Sequence, residues 1–129
     1  MSGDLLDTSI LVAPDPASFG ELPAAAAISV ITLGELRAGV LLARDERTLA
    51  ARLTRFDAVR AAFSPLPVDE AVAERYGEIL ALSRSQRGTA KATDLLIIAT
   101  AAVHERILHT HDDRQAALAH AAGITVHAI

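Results

Sequence analysis

Leu5-Leu6-Asp7-Thr8-Ser9 is the stretch from which the rest of this 129-residue chain can be read. Two leucines are followed by a carboxylate and then by two hydroxyls. A short buried strand that runs out on an acid has one common meaning in an α/β protein. Ligands bind beyond the carboxyl ends of parallel strands, so Asp7 would face an active-site crevice.

Working outward, residues 4–7 form the first strand, with a turn or helical start at 8–13. Pro14-Asp15-Pro16 breaks it, and a short helical piece over 17–22 ends at Pro23. Residues 26–30, with β-branched Ile28 and Val30, read as a second buried strand. Thr32 is the expected N-cap of a helix over 33–43, and Glu35 three residues on completes a capping box. Arg44-Asp45-Glu46-Arg47 reads as a hinge before a helix that reaches Phe63. On that helix Leu49, Leu53, Phe56, Val59 and Phe63 recur at helical spacing. Residues 64–68 are extended, and Asp69 caps a helix over about 70–84. The polar segment 85–93, with Gly88, is a loop. A strongly apolar helix bearing Asp94 follows, to about residue 105. A strand over 107–110, a helix over 113–122 closed by Gly123, and a strand over 125–127 complete the chain. Strands alternating with helices predict one three-layer α/β/α domain over residues 1–129, with a mostly parallel sheet of four to five strands.

Composition narrows the function classes. Apolar residues make up 51% and charged residues 22%, ordinary for a folded domain and wrong for a disordered one. Without cysteine there is no disulfide or thiolate metal site, which fits a reducing cytoplasm. No basic segment precedes an apolar one at the start, so no secretion signal is expected. No apolar run approaches the roughly 20 residues that span a bilayer, so no membrane partner is expected. The net charge of −4 argues against bulk charge-driven nucleic-acid binding. It is compatible with clustered carboxylates whose field a bound divalent cation reverses. Phe19, Phe56, Phe63 and Tyr76 are too few for an aromatic base-stacking platform.

Four acids fall where strands end and helices begin. Asp7 ends a strand, Glu35 and Asp94 lie in first helical turns, and Asp112 follows the strand over 107–110. In a parallel sheet these places share one edge. Each acid has a plain alternative: Asp7 as a turn cap, Glu35 as Thr32's capping partner, Asp94 as a complement to the helix dipole, Asp112 or Asp113 as an N-cap. Four acidic element ends together favour a common site. An all-oxygen cluster suits Mg²⁺ or Mn²⁺, and the matching chemistry is hydrolysis of a phosphodiester.

At these residues the chain resembles a family. Leu5-Leu6-Asp7-Thr8-Ser9 is similar to the opening "hydrophobic-Asp-Thr-Ser/Asn" motif of PIN-domain ribonucleases, with Ser at position 9 where Asn is frequent. The run 28–36, Ile-Ser-Val-Ile-Thr-Leu-Gly-Glu-Leu, resembles their second motif. The run 92–101, Ala-Thr-Asp-Leu-Leu-Ile-Ile-Ala-Thr-Ala, resembles the third, and Thr110-His111-Asp112 the fourth, "Thr-x-Asp". Size and motif order are most similar to VapC toxins of bacterial type II toxin–antitoxin modules. The resemblance implies an Mg²⁺- or Mn²⁺-dependent endoribonuclease with Asp7, Glu35, Asp94 and Asp112 as catalytic and metal-binding acids. It implies that Thr110, Thr8 and Ser9 orient acids or water around them. It also implies a homodimer and a cognate VapB-type antitoxin that silences the enzyme. The doubled Asp112-Asp113 leaves open which of the two is the fourth acid, although spacing favours Asp112.

Arg84, Arg87 and Lys91 beside Asp94, and Arg114 beside the fourth acid, are candidates for RNA phosphate contacts, or else solvated surface charges. Among the five histidines no metal-ligand spacing occurs; His111 lies nearest the site, and His109 should point away from its neighbour Thr110. Leu36, Val40, Leu49, Leu53, Phe56 and Phe63 either pack the core or frame a groove for an antitoxin helix. Residues near Val68–Leu82, or the apolar helix after Asp94, are candidates for a dimer face. Two rivals stand beside the ribonuclease. An aspartyl-phosphate enzyme would want a second Asp two residues after Asp7, where Ser9 stands. A catalytically inactive PIN-like module would bind RNA or protein only.

Overall fold

Leu5 and Leu6 are adjacent on the first strand and so point to opposite faces of the sheet. Both are fully buried, which requires cover on both sides. The computed structural model of the chain describes residues 3–12, 16–23 and 25–128. Its order is β1 (Asp4–Leu6), α1 (Thr8–Val12), a 3₁₀ helix (Pro16–Glu21), β2 (Ala26–Ser29), α2 (Val30–Leu41), α3 (Glu46–Ala62), β3 (Ser64–Leu66), α4 (Glu70–Ser85), α5 (Ala92–Val103), β4 (Ile107–Thr110), α6 (Asp113–Ala121) and β5 (Val126–Ala128). The expected break at Pro14-Asp15 lies outside the described residues, and the helical piece expected over 17–22 is the 3₁₀ helix.

The five strands run in the order β3-β2-β1-β4-β5, all parallel. The extended segment after α3 is thus an edge strand, and Pro65 is tolerated there because an edge leaves one side of the ladder free. On one face Leu5, Ala27 and Leu108 meet Val72 and Ile79 of α4, Leu95, Ile98 and Ala101 of α5, and Ala119 of α6. On the other, Leu6 and Ile28 meet Ile10, Leu11, Phe19, Leu36, Val59 and Phe63. The three-layer α/β/α arrangement is therefore as the alternation of elements predicts. Truncating a fully buried residue such as Leu5 to alanine would destabilise by about 2–5 kcal/mol.

Helix ends explain most boundary differences. Ser29, not Thr32, caps α2: its hydroxyl accepts from the Ile31 N–H at 3.0 Å. The helix therefore starts at Val30, three residues early, and the capping box expected at Thr32 and Glu35 does not form. Asp45, inside the expected hinge, caps α3 by accepting from the Thr48 N–H at 2.7 Å. Asp69 caps α4 as expected. Gly123 takes a left-handed φ of 82° after α6. Its N–H and that of Ile124 return to His120 and Ala119, a glycine-closed helix end.

The groove expected on α2 and α3 is divided by the fold. Leu36, Val40 and Phe63 belong to the core, while Leu49 and Leu53 are exposed, with Leu41 and Leu42 beyond them. The buried residues of α5 lie in the core, which leaves that helix little apolar surface for a dimer face. No helix among the described residues is long and apolar enough to cross a membrane.

Candidate active site

With β1 central, the chain steps outward one way to β2 and β3 and then returns to β4 and β5. The reversal falls between β1 and β4, and the crevice beyond their carboxyl ends is where such sheets bind ligands. Asp7 follows β1 there and is buried, its N–H donating to the His109 carbonyl at 2.9 Å. Its Oδ2 accepts from Ser9 Oγ at 2.7 Å and from Thr110 Oγ1 at 2.8 Å. Thr110 Oγ1 in turn accepts the Asp112 N–H at 3.0 Å, and Ser9 Oγ accepts the His111 N–H at 3.0 Å. The hydroxyls at both strand ends thus tie the first acid to the fourth.

Glu35 arrives from the second turn of α2, a consequence of the early start at Val30. Its Oε1 accepts from Thr8 Oγ1 at 2.6 Å, and the same hydroxyl lies 3.0 Å from Thr32 Oγ1. Thr32 is fully buried and sits one turn before Glu35 on the same helix face. The sequence reading gave it a capping role; the i, i+3 spacing to Glu35 was the signal for this one.

Asp94 occupies the third position of α5, whose N-cap Lys91 makes no side-chain capping bond. Burial holds the Asp94 carboxyl above its ordinary value of 3.8, and the negative charges of Asp7, Glu35 and Asp112 push it further. Lys91 acts in the opposite sense. All three other acids act on Asp94, which places them in one electrostatic neighbourhood. Asp112 is the exposed N-cap of α6, its Oδ1 accepting from the N–H groups of Arg114 at 2.9 Å and Gln115 at 3.2 Å. Asp113, exposed in the first turn of α6, is not among the groups that shift Asp94.

Among the described residues no three histidine or acidic side chains stand close enough together to hold a metal ion as placed. Like charges repel, and the carboxylates of Asp7, Glu35 and Asp112 rest instead on hydroxyl or amide donors. The chemistry of the four acids nevertheless fits a hard divalent cation: the donors are all oxygen, and the repulsion that Asp7, Glu35 and Asp112 exert on Asp94 is what such a charge removes.

Cations and a cavity complete the site. An open cavity of about 690 Å³ lies against Asp94 and Asp112, and Arg87, Lys91 and Arg114 all line it. Arg84 is engaged elsewhere, donating to the Gly88 carbonyl at 3.1 Å. Gln115 also lines the cavity, buried, and escaped the sequence reading because an isolated glutamine carries no local signal. His109 does point away from Thr110, as alternation predicts, and its Nε2 meets Asp4 Oδ1 at 2.7 Å.

Known proteins share this architecture. Residues 5–121 match the PIN domain family. The chain is 34% identical to Ribonuclease VapC4 of Mycobacterium tuberculosis over 125 residues, 95% of each chain. It is 38% identical to Ribonuclease VapC8 of the same species over 102 residues, 77% of this chain and 90% of that one. Among solved structures, VapBC-5 of Mycobacterium tuberculosis, a member of the VapBC family of toxin-antitoxin systems, superposes with a TM-score of 0.85 at 32% identity over the full length of both chains. FitAcB of Neisseria gonorrhoeae does so with a TM-score of 0.77 at 28% identity, over 95% of this chain and 94% of that one. Fold, strand-end acids and relatives agree, and the chain belongs to the PIN-domain family, alongside the VapC ribonucleases.

Proposed function

We infer that this chain is the toxin of a type II toxin–antitoxin pair, an endoribonuclease in which Asp7, Glu35, Asp94 and Asp112 hold Mg²⁺ or Mn²⁺. The observation that carries the reading is the acid neighbourhood at the sheet's switch point, where burial raises the Asp94 carboxyl first and the charges of Asp7, Glu35 and Asp112 raise it further. The names of the relatives support RNA as the substrate and an antitoxin as the partner.

A bound ion would supply Lewis acidity, polarising phosphoryl oxygens and acidifying water. The chain's own residues do the positioning. Ser9 and Thr110 fix the Asp7 carboxylate, and Thr8 fixes Glu35. The first amides of α6 fix Asp112, and its charge acts on Asp94, which supports it over Asp113 as the fourth acid of this reading. Lys91, Arg87 and Arg114 supply positive charge for phosphates, the main source of affinity for nucleic acid.

The antitoxin would lay an apolar helix on the α2–α3 hairpin, where Leu41, Leu42, Leu49 and Leu53 are exposed. Beside them Arg37 and Arg60 stand 6.0 and 5.8 Å from the Phe56 ring centroid. A homodimer and a cytoplasmic location belong to the same reading, by analogy with the family.

Purified protein incubated with single-stranded RNA tests the reading. Cleavage is expected with Mg²⁺ or Mn²⁺ and none with EDTA. Asp7→Asn should abolish cleavage while the protein remains folded by circular dichroism. Cleavage by Asp7→Asn at the parental rate would refute the site, and an inert parent that still binds RNA would favour the non-catalytic module.

A further inference from the structure

We propose that the cavity beside Asp94 and Asp112 receives one unpaired nucleotide next to the scissile phosphate, and that Gln115 reads its base. The inference rests on the ribonuclease reading and adds to it a determinant of which RNA is cut.

The cavity, about 690 Å³, falls within the roughly 300–1,000 Å³ of small-ligand pockets. It opens onto two of the four acids, so an occupant is one step along a strand from the reacting bond. Its surface is mixed. Leu118 and Ala90, half-buried, and exposed Ala117 give an apolar surface on which a base can lie. Arg87 and Arg114 add charge for phosphates and planar guanidinium groups for stacking, in a cavity that no aromatic side chain lines.

One wall is preformed. The Gly88 N–H donates to the Ser83 carbonyl at 2.7 Å, and Arg84 holds the Gly88 carbonyl. A Cβ at position 88 would stand 2.5 Å from Ser83 Oγ and 2.9 Å from its carbonyl oxygen, so a side chain there would force the wall away from α4. Arg87 is held at a left-handed φ of 58° by this closure.

Gln115 is the residue that points to a ligand. It is only 4% exposed, yet its side-chain amide makes a single, marginal bond, to the Asp94 carbonyl at 3.5 Å. The amide retains a second N–H and an acceptor oxygen to offer an occupant of the cavity. Its backbone is fixed by Asp112, so the amide is presented between the acids and the cavity. A donor and an acceptor side by side match the edge of a base, adenine best of all. Unpaired bases splayed from the strand are how proteins read RNA sequence.

The test uses the full-length protein and a pool of single-stranded RNA with randomised positions, with the cut ends sequenced. The parent should show a base preference at one position flanking the cut. Gln115→Met keeps length and packing but removes the amide. It should flatten the preference at that position alone and lower kcat/KM on the preferred RNA by about 10-fold or more. Thr89→Trp, at an exposed wall position, should fill the cavity and weaken binding of a single-stranded oligonucleotide by a similar factor. An unchanged cleavage profile in Gln115→Met, or a parent with no preference at any flanking position, would overturn the inference. If Gln115→Met fails to fold, or the parent cuts nothing, RNA binding by Thr89→Trp decides: affinity equal to the parent's overturns the pocket. Loss of antitoxin binding with RNA behaviour intact would assign the cavity to the protein partner and overturn the inference as well.

Discussion

β1 carries an aspartate at each end, and the two have opposite surroundings. At the amino end Asp4 meets His109 at 2.7 Å, and that ring stacks on His127 at 5.0 Å between centroids. Past the carboxyl end, Asp7 meets only hydroxyls, and nearby Asp94 is pressed by three negative charges. Asp4 has a partner able to carry positive charge in direct contact; Asp7 belongs to a group in which Lys91 only partly offsets the repulsion on Asp94. The same residue type, three positions further along the chain, is structural in the first place and, in the proposed reading, poised for a cation in the second. Net repulsion among acids marks a functional site better than acidity does.

The contrast predicts a large asymmetry in activity. Asp94→Asn should lower metal-dependent RNA cleavage by more than about 100-fold, since changes one layer further out already cost about 10–100-fold. Asp4→Asn should stay within about twofold, because it touches none of the acids. A comparable loss at Asp4, measured by initial rates at saturating Mn²⁺, would erase the distinction.

A smaller effect should come from the hydroxyl that joins the first and fourth acids. Thr110→Val keeps the buried shape but deprives Asp7 of a donor and the Asp112 N–H of an acceptor. Cleavage should fall by about 10–100-fold with folding retained, and a higher Mn²⁺ concentration should restore part of it. No change in the Mn²⁺ dependence would show that Thr110 acts only on stability.

Smallest are the stability effects, and they should have opposite signs. The folded state raises the Asp94 pKa above its ordinary 3.8, so folding takes up protons at this site. Without metal that destabilises the fold as pH rises through the carboxylate range, and the whole penalty is present above the raised value. Asp94→Asn should therefore melt higher than the parent at neutral pH in EDTA, with the difference vanishing below the ordinary value. Mg²⁺ should close the gap by binding the parent. Asp4→Asn should lower stability by about 1 kcal/mol or less, as befits a partly exposed pair. Equal melting shifts of one sign in both variants, by calorimetry, would count against the contrast.

Legibility of the chain followed the range of the forces involved. Leu5-Leu6-Asp7, the apolar run after Asp94 and the turn at Gly123 are local patterns, and the structure has the strand, helix and helix end they imply. The capping of α2 was misread because Ser29 and Thr32 offer the same chemistry, and only where β2 ends decides which hydroxyl meets a free amide. Phe63 and Leu53 share a helical periodicity, yet Phe63 packs on Phe19 of the 3₁₀ helix in the core while Leu53 is exposed. Gln115 looks like any surface glutamine until α6 turns it beneath the cavity.

The sequence by itself determined the alternation of strands and helices and the acids at their ends, because periodicity and side-chain chemistry act over a few residues. Only the tertiary structure decided that β1 lies beside β4, that the acids on four separate elements act on one another, and that a cavity opens at their side. Those depend on strand order and packing between segments distant along the chain, where no local pattern sets the choice.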